Sequence, residues 1–388
     1  MSALERSDES PQVDALAAPV GPAEKEAPSP FVLDVHDFSV DYGVGTQMVT
    51  AVRDVNFSLQ RSKVLGVAGE SGSGKSTLVY AITRLLRAPG VIRSGSAILR
   101  VALPDGHGVE EFDLVQADER TLRRVRWSHV SVVLQSALNA LNPVLRIRRE
   151  FDEVLKTHRA SMTKTQRRER SVELLRMVGL SEDRLDRFPH ELSGGQRQRV
   201  MIALALALDP DLVIMDEPTT ALDVVTQREI INELNDLRSR FGFAMIFITH
   251  DLSLLVELAD DIVVMYAGAI VERASALELY DAPRHPYTLG LLNSFPPLHG
   301  ARQELTGIPG SPPDLAQLPA GCSFSTRCPF VMERCRRESP TLISLDDDHR
   351  QVACWLHEPG ASATVPVELS QRRRAATSDS DLATAESK

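Results

Sequence analysis

Apolar positions in this chain fall into two rhythms. Runs in which nearly every residue is apolar predict strands buried on both faces, and apolar residues three and four apart predict helices. The run Val64-Leu65-Gly66-Val67-Ala68 is of the first kind, and Leu78, Ala81, Ile82, Leu85 and Leu86 just beyond it are of the second. Three more runs end in a polar side chain: Val132-Val133-Leu134-Gln135, Leu212-Val213-Ile214-Met215-Asp216-Glu217 and Phe247-Ile248-Thr249-His250. Val55, Phe57 and Leu59 alternate with polar residues, as in an antiparallel strand with one wet face. From about Asn139 to His190 the pattern is helical. Leu174, Leu175, Val178 and Leu180 form a stripe, with Pro189 and Ser193 punctuating its end. The longest uninterrupted apolar run, Val200 to Leu208, is far too short to span a bilayer and fits a buried helix. Any membrane pore would therefore belong to other chains.

Strand–loop–helix is the setting in which a glycine-rich loop binds phosphate. Gly69-Glu70-Ser71-Gly72-Ser73-Gly74-Lys75-Ser76-Thr77 has the G-x-x-x-x-G-K-S spacing, in which glycines let backbone N–H groups converge on phosphate oxygens. Lys75 would reach the β and γ oxygens, and the Ser76 hydroxyl would ligate Mg²⁺. Downstream, Leu192-Ser193-Gly194-Gly195-Gln196 opens the apolar helix with small residues, leaving its N-terminal N–H groups accessible to an anion. Asp216 and Glu217 give one carboxylate for a cation and one to orient water. Polar groups at the carboxyl ends of parallel strands are where such sheets bind ligands.

In the order phosphate loop, Gln135, LSGGQ, Asp-Glu pair, Thr220-Ala221-Leu222-Asp223 and His250, these motifs resemble the nucleotide-binding subunit of ABC transporters over residues 31 to about 295. The resemblance implies an α/β P-loop NTPase cassette: a RecA-like core with an antiparallel β subdomain, a helical subdomain at about 139–196 and a small cysteine-containing C-terminal extension. It implies that Lys75 and Ser76 bind phosphate and metal, with Gln135 contacting Mg²⁺ and the membrane partner. Asp216 would be the outer metal residue, Glu217 the catalytic base and His250 the γ-phosphate sensor. Tyr42 stands where ABC proteins place an aromatic against adenine; packing on the sheet is the competing reading. Ser193, Gly194, Gly195 and Gln196 would act on ATP held by an opposite subunit, which makes each site composite and the ATPase a dimer.

Three further stretches resemble the peptide and nickel uptake family: Gln135-Ser136-Ala137-Leu138-Asn139-Ala140-Leu141-Asn142-Pro143, Phe188-Pro189-His190-Glu191 and His285-Pro286-Tyr287-Thr288. Two permeases, a substrate-binding protein, a second ATPase subunit and a place on the cytoplasmic face of the inner membrane follow from that resemblance. Peptide import is the expected task, nickel or another small solute the alternative. Ser136-Ala137 departs from the acidic residue and proline usual after the glutamine, at the point that meets the permease. A soluble ABC ATPase of translation or DNA repair is the rival class. Those carry two cassettes or a long coiled coil, and the stretch between Lys75 and Ser193 has no room for the coil.

A formal charge of −10 and a pI near 5.6 argue against nucleic acid as a partner. Residues 1–30, rich in proline, alanine and acid, read as a disordered arm, and 360–388, with Arg372-Arg373-Arg374, as a solvated tail. Ala15 to Ala18 lacks the basic and apolar segments of a secretory leader.

All four cysteines, Cys322, Cys328, Cys335 and Cys354, cluster in the 296–359 extension. A reducing compartment disfavours disulfides, leaving an iron–sulfur cluster, zinc or unligated thiols, and the spacing lacks the tight zinc knuckle. In the peptide-uptake ATPases, which end similarly at Gly321-Cys322, Arg327-Cys328-Pro329 and Ala353-Cys354, such cysteines bind [4Fe-4S]. Arg327, Arg334, Arg336 and Arg337 would then offset the cluster's charge; a solvated basic face is the alternative.

Overall fold

Two antiparallel strands, β1 (Phe31–Tyr42) and β2 (Val49–Gln60), open the fold of this computed structural model. It describes residues 29–43, 45, 48–103, 108–134, 140–220, 222–294, 307–345, 349–359 and 364–370. Val55, Phe57 and Leu59 of β2 point inward while Asp54 and Asn56 face solvent, the alternation of a half-covered strand. The fully buried β3 (Val64–Ala68) then leads through the glycine-rich loop into α1 (Lys75–Ile82). The chain returns to β4 (Gly90–Ala102) and β5 (Val109–Asp113), which complete a four-stranded antiparallel sheet ordered β2-β1-β4-β5.

After α2 (Glu119–Val125) and β6 (Val130–Val133), helices take over. α3 (Ile147–His158) buries Ile147, Phe151 and Leu155; α4 (Lys164–Met177) buries Val172, Leu174 and Leu175. Thr163 and Gln166 cap α4 reciprocally. α5 (Gly194–Ala205) runs into the core and is followed by β7 (Leu212–Asp216), α6 (Val224–Phe241), β8 (Ala244–Ile248), α7 (Leu252–Leu258) and β9 (Asp261–Tyr266). Strands β9, β3, β8, β7 and β6 lie parallel in that order, so the ends of β3, β7 and β8 share one edge. Residues such as Leu65, Val67, Ile214 and Ile246 pack toward α1 and the antiparallel sheet; Val64, Val213, Met215 and Phe247 pack toward the other helices.

Beyond β10 (Ala269–Ser275), α8 (Ala276–Asp281) and α9 (Pro286–Asn293), the extension contributes α10 (Glu333–Arg337), β11 (Ile343–Ser344) and β12 (Gln351–Val352). It does not stand apart from the ATPase unit. Val352 pairs with Glu272 and Gln351 with Arg273, so β12 and β11 continue the central sheet past β10. In the tail expected to be solvated, Leu369 is fully buried. Arg372 to Arg374 and most of the N-terminal arm lie outside the described residues. Among the described residues no helix is long and apolar enough to cross a membrane.

Candidate nucleotide site

The glycine-rich loop is a backbone problem before it is a binding site. Gly74, the residue preceding α1, has φ +101°, and a Cβ there would sit 2.5 Å from the Ala51 carbonyl oxygen. Gly69 is equally constrained, against the Met265 carbonyl. Ser71 and Gly72 form the exposed tip and Ser73 is buried; Ser76 and Thr77 follow Lys75 in the first turn of α1. Lys75 Nζ donates to the carbonyls of Gly69 and Glu70, both at 2.8 Å, and to Ser73 Oγ at 3.4 Å. Burial lowers its pKa, while the carboxylates of Glu217, Asp216 and Glu70 act in the opposite direction. The loop thus presents one desolvated cation among three acids.

Asp216 ends β7 with its side chain fully enclosed. Ser76 Oγ donates to Oδ1 at 3.0 Å and Tyr80 OH to Oδ2 at 2.8 Å. Burial raises the Asp216 pKa; the two hydroxyl donors oppose it. Tyr80 was not among the residues expected here. Its signal was available, because it lies four residues after Ser76 on the same face of α1.

Glu217 adopts φ +45° just past β7, and its N–H donates to Ile248 O at 3.0 Å. Its carboxylate accepts from Thr220 Oγ1 at 2.9 Å and lies 3.5 Å from His250 Nδ1. Glu217, His250, Gly69, Glu70 and Ser71 line a cavity of about 590 Å³, ligand-sized. Leu291, Ser294, Ile308 and Pro312 complete its wall. Part of this wall comes from chain beyond 295, which the motifs did not foretell.

Tyr42 is half-buried at the end of β1, packed against Gly90, and does not line this cavity. Neither do Ser193, Gly194, Gly195 and Gln196. Ser193 Oγ accepts from the Gln196 N–H at 3.2 Å and the Ser193 N–H donates to Gln196 Oε1 at 3.1 Å, a closed capping box at the start of α5. A Cβ on Gly195 would meet the Thr226 methyl at 2.8 Å, so the glycine lets α5 approach α6. Gln135 lies outside the described residues.

The His-Pro-Tyr-Thr stretch begins α9. His285 Nδ1 accepts from the Tyr287 N–H at 3.0 Å, and the fully buried Glu272 accepts the N–H groups of Arg284 and His285 at 2.7 and 2.8 Å. Tyr287 carries this anchoring to the phosphate loop, its hydroxyl oxygen accepting from the Glu70 N–H at 2.7 Å. Its ring packs with Tyr266 and Phe324, at centroid distances of 4.6 and 5.4 Å.

All four cysteines line one narrow pocket. Burial raises the thiol pKa values of Cys322, Cys328 and Cys354, the last two to about 11 and about 12. The expected metal centre gains no support from ligand geometry. Among the described residues no three His, Cys, Asp or Glu side chains form a group able to hold a metal ion. Three of the four arginines expected beside a cluster are paired with carboxylates. Arg327 is buried and bonded to Glu70, Arg334 pairs with Glu338 and Glu358 over the Trp355 ring, and Arg337 pairs with Glu333.

Residues 52–220 match the ABC transporter family, and residues 271–335 match the C-terminal region of oligopeptide/dipeptide transporters. An oligopeptide transport ATP-binding protein of Bacillus subtilis is 40% identical over 341 residues, 87% of this chain and 92% of the relative. The protein of that name from Salmonella typhimurium is 43% identical over 319 residues, 81% and 92% of the two chains. A dimeric ATP-binding cassette solved in a post-hydrolysis state with ADP and phosphate aligns at TM-score 0.54 and 27% identity. The alignment covers 63% of this chain and 98% of that one.

Proposed function

This chain belongs to the ATP-binding proteins of oligopeptide and dipeptide ABC transporters, and from that premise we propose that it hydrolyses ATP to energise peptide import. The observation that carries the reading is the convergence of the phosphate loop, Asp216, Glu217 and His250 at the carboxyl edge of β3, β7 and β8. Lys75 binds the phosphates. Ser76, 3.0 Å from Asp216, would hold the Mg²⁺ that accompanies ATP, together with Asp216 and Gln135. Asp216, whose pKa burial raises, would be kept ionised beside that cation. Glu217 takes a proton from water as the water oxygen attacks the γ-phosphorus and the bond to the ADP oxygen breaks. His250 marks the γ-phosphate, and Tyr42 meets adenine.

Ser193 to Gln196 serve ATP held by a second ATPase subunit, a reading supported by the exposure of Ser193 and by the place of all four outside the phosphate-loop cavity. Two permease subunits form the pore, a substrate-binding protein delivers the peptide, and the ATPase sits peripherally on the cytoplasmic face of the membrane. We assign 31–295 to the ATPase unit and 296–359 to the extension.

For the extension we retain the [4Fe-4S] reading. Four cysteines lining one pocket supply the number of thiolates that a four-iron cluster uses, although no group able to hold a metal ion forms among the described residues. Cys322, Cys328, Cys335 and Cys354 would hold it, and it would cross-link the extension.

Proteoliposomes containing this chain and its permeases test the assignment. ATP-dependent uptake of labelled peptide supports it. Uptake of nickel alone moves the chain to the nickel branch, and hydrolysis indifferent to the permeases supports the soluble class.

A further inference from the structure

Glu70 occupies one of the unspecified positions of the phosphate loop, yet it is held at three points. Its N–H donates to Tyr287, its carbonyl accepts from Lys75, and its carboxylate accepts two bonds from Arg327, at 2.7 and 2.9 Å. The Arg327 side chain is only 4% exposed, and its Nε donates to Pro309 O at 2.8 Å. A bidentate guanidinium–carboxylate pair is both strong and geometrically exacting, and here losing the carboxylate would leave the buried guanidinium uncompensated.

Arg327 immediately precedes Cys328, in a turn pinned at both ends. The Cys322 N–H donates to Cys335 O at 2.8 Å, the Ser325 N–H to Cys322 O at 2.9 Å and the Arg327 N–H to Phe324 O at 3.0 Å. Gly321 tightens the crossing, since a Cβ there would lie 2.7 Å from the Arg336 carbonyl carbon. The thiol-lined module thus fixes the guanidinium, and the guanidinium fixes Glu70, whose carbonyl bonds the phosphate-binding lysine.

We propose that Arg327, through Glu70, is a positioning residue by which the four-cysteine extension sets the conformation of the phosphate loop, so that ATP affinity depends on that extension. The inference rests on the site being an ATP site; it requires no particular metal at the cysteines.

The test is MgATP affinity and steady-state hydrolysis of the full chain, comparing wild type with Arg327→Gln, Arg327→Lys, Glu70→Gln and the Arg327→Gln/Glu70→Gln double variant. Displacing a phosphate loop by a fraction of an ångström weakens binding, so each Gln variant should raise the ATP Kd about tenfold. KM should rise more than kcat falls, because the bonds of Arg327 run to Glu70, Tyr266 and the Pro309 and Gly310 carbonyls. The double variant should bind no worse than the weaker single one, as for partners in one interaction, and Arg327→Lys should restore part of the affinity. Glu70→Gln keeps the extension's own sequence intact and carries the test if Arg327→Gln does not fold. Wild-type affinity in Glu70→Gln, or Kd effects that multiply in the double variant, would overturn the proposal. A wild-type chain that bound no MgATP would instead refute the nucleotide-site reading itself.

Discussion

Protonating His285 should unfasten the start of α9 and, through Tyr287, the phosphate loop. The imidazole is 1% exposed and uses Nδ1 as an acceptor for the Tyr287 N–H, a bond available only to the neutral ring. Burial, with a smaller contribution from His357, holds its pKa at about 3, against an ordinary value near 6.5. Between those limits the unfolded chain binds a proton that the native chain refuses, so stability falls as pH falls. The slope is about 1.4 kcal/mol per pH unit and the full loss about 5 kcal/mol by pH 3. The neighbouring Glu272, whose burial raises its pKa, contributes with the opposite sign, so wild type alone does not isolate the histidine. His285→Asn does, because Asn still caps a helix but does not titrate, and the Glu272 contribution cancels in the difference. Urea unfolding at pH 7, 6.5, 6, 5.5 and 5 should show a fixed penalty for Asn down to pH 6.5. Below it, the penalty should shrink by about 1.4 kcal/mol per pH unit. Parallel stability profiles for the two proteins would refute the buried neutral histidine.

Three further outcomes follow from the site. Gly74→Ala, which combines a left-handed φ with a Cβ 2.5 Å from the Ala51 carbonyl, should cost at least about 1–2 kcal/mol in denaturant unfolding and weaken ATP binding. In mixed dimers, Lys75→Ala and Ser193→Arg on opposite chains should leave one working site, whereas both on one chain should leave none; the reverse pattern contradicts composite sites. Anaerobically purified protein should carry about four iron and four sulfide per chain, lost on Cys354→Ser; stoichiometric zinc without sulfide contradicts the cluster.

Local sequence rules reached the parts of the site that local structure builds. The phosphate loop, the Asp216-Glu217 and His250 strand ends and the Ser193 helix start are each a strand or helix terminus with its own residue signature. The contacts that lock them together were not legible. Arg327 and Glu70 meet across most of the chain, and nothing in Arg327-Cys328-Pro329 distinguishes a buried partner of the phosphate loop from a basic surface residue. Glu272 holding the His285 turn, and β12 extending the central sheet, are likewise products of tertiary pairing. Tyr80 is the intermediate case, readable from helical spacing once Ser76 is placed.

Glu217 should drive ATP hydrolysis in a nucleotide-closed dimer. Purified Glu217→Gln, incubated with MgATP beside wild type, tests it by phosphate release, bound nucleotide and particle mass. Removing the base while keeping its shape should lower turnover by about 10² to 10⁴-fold and leave a dimer retaining uncleaved ATP, while wild type releases ADP. Turnover within a few-fold of wild type, or a variant that stays monomeric with ATP bound, would contradict the account.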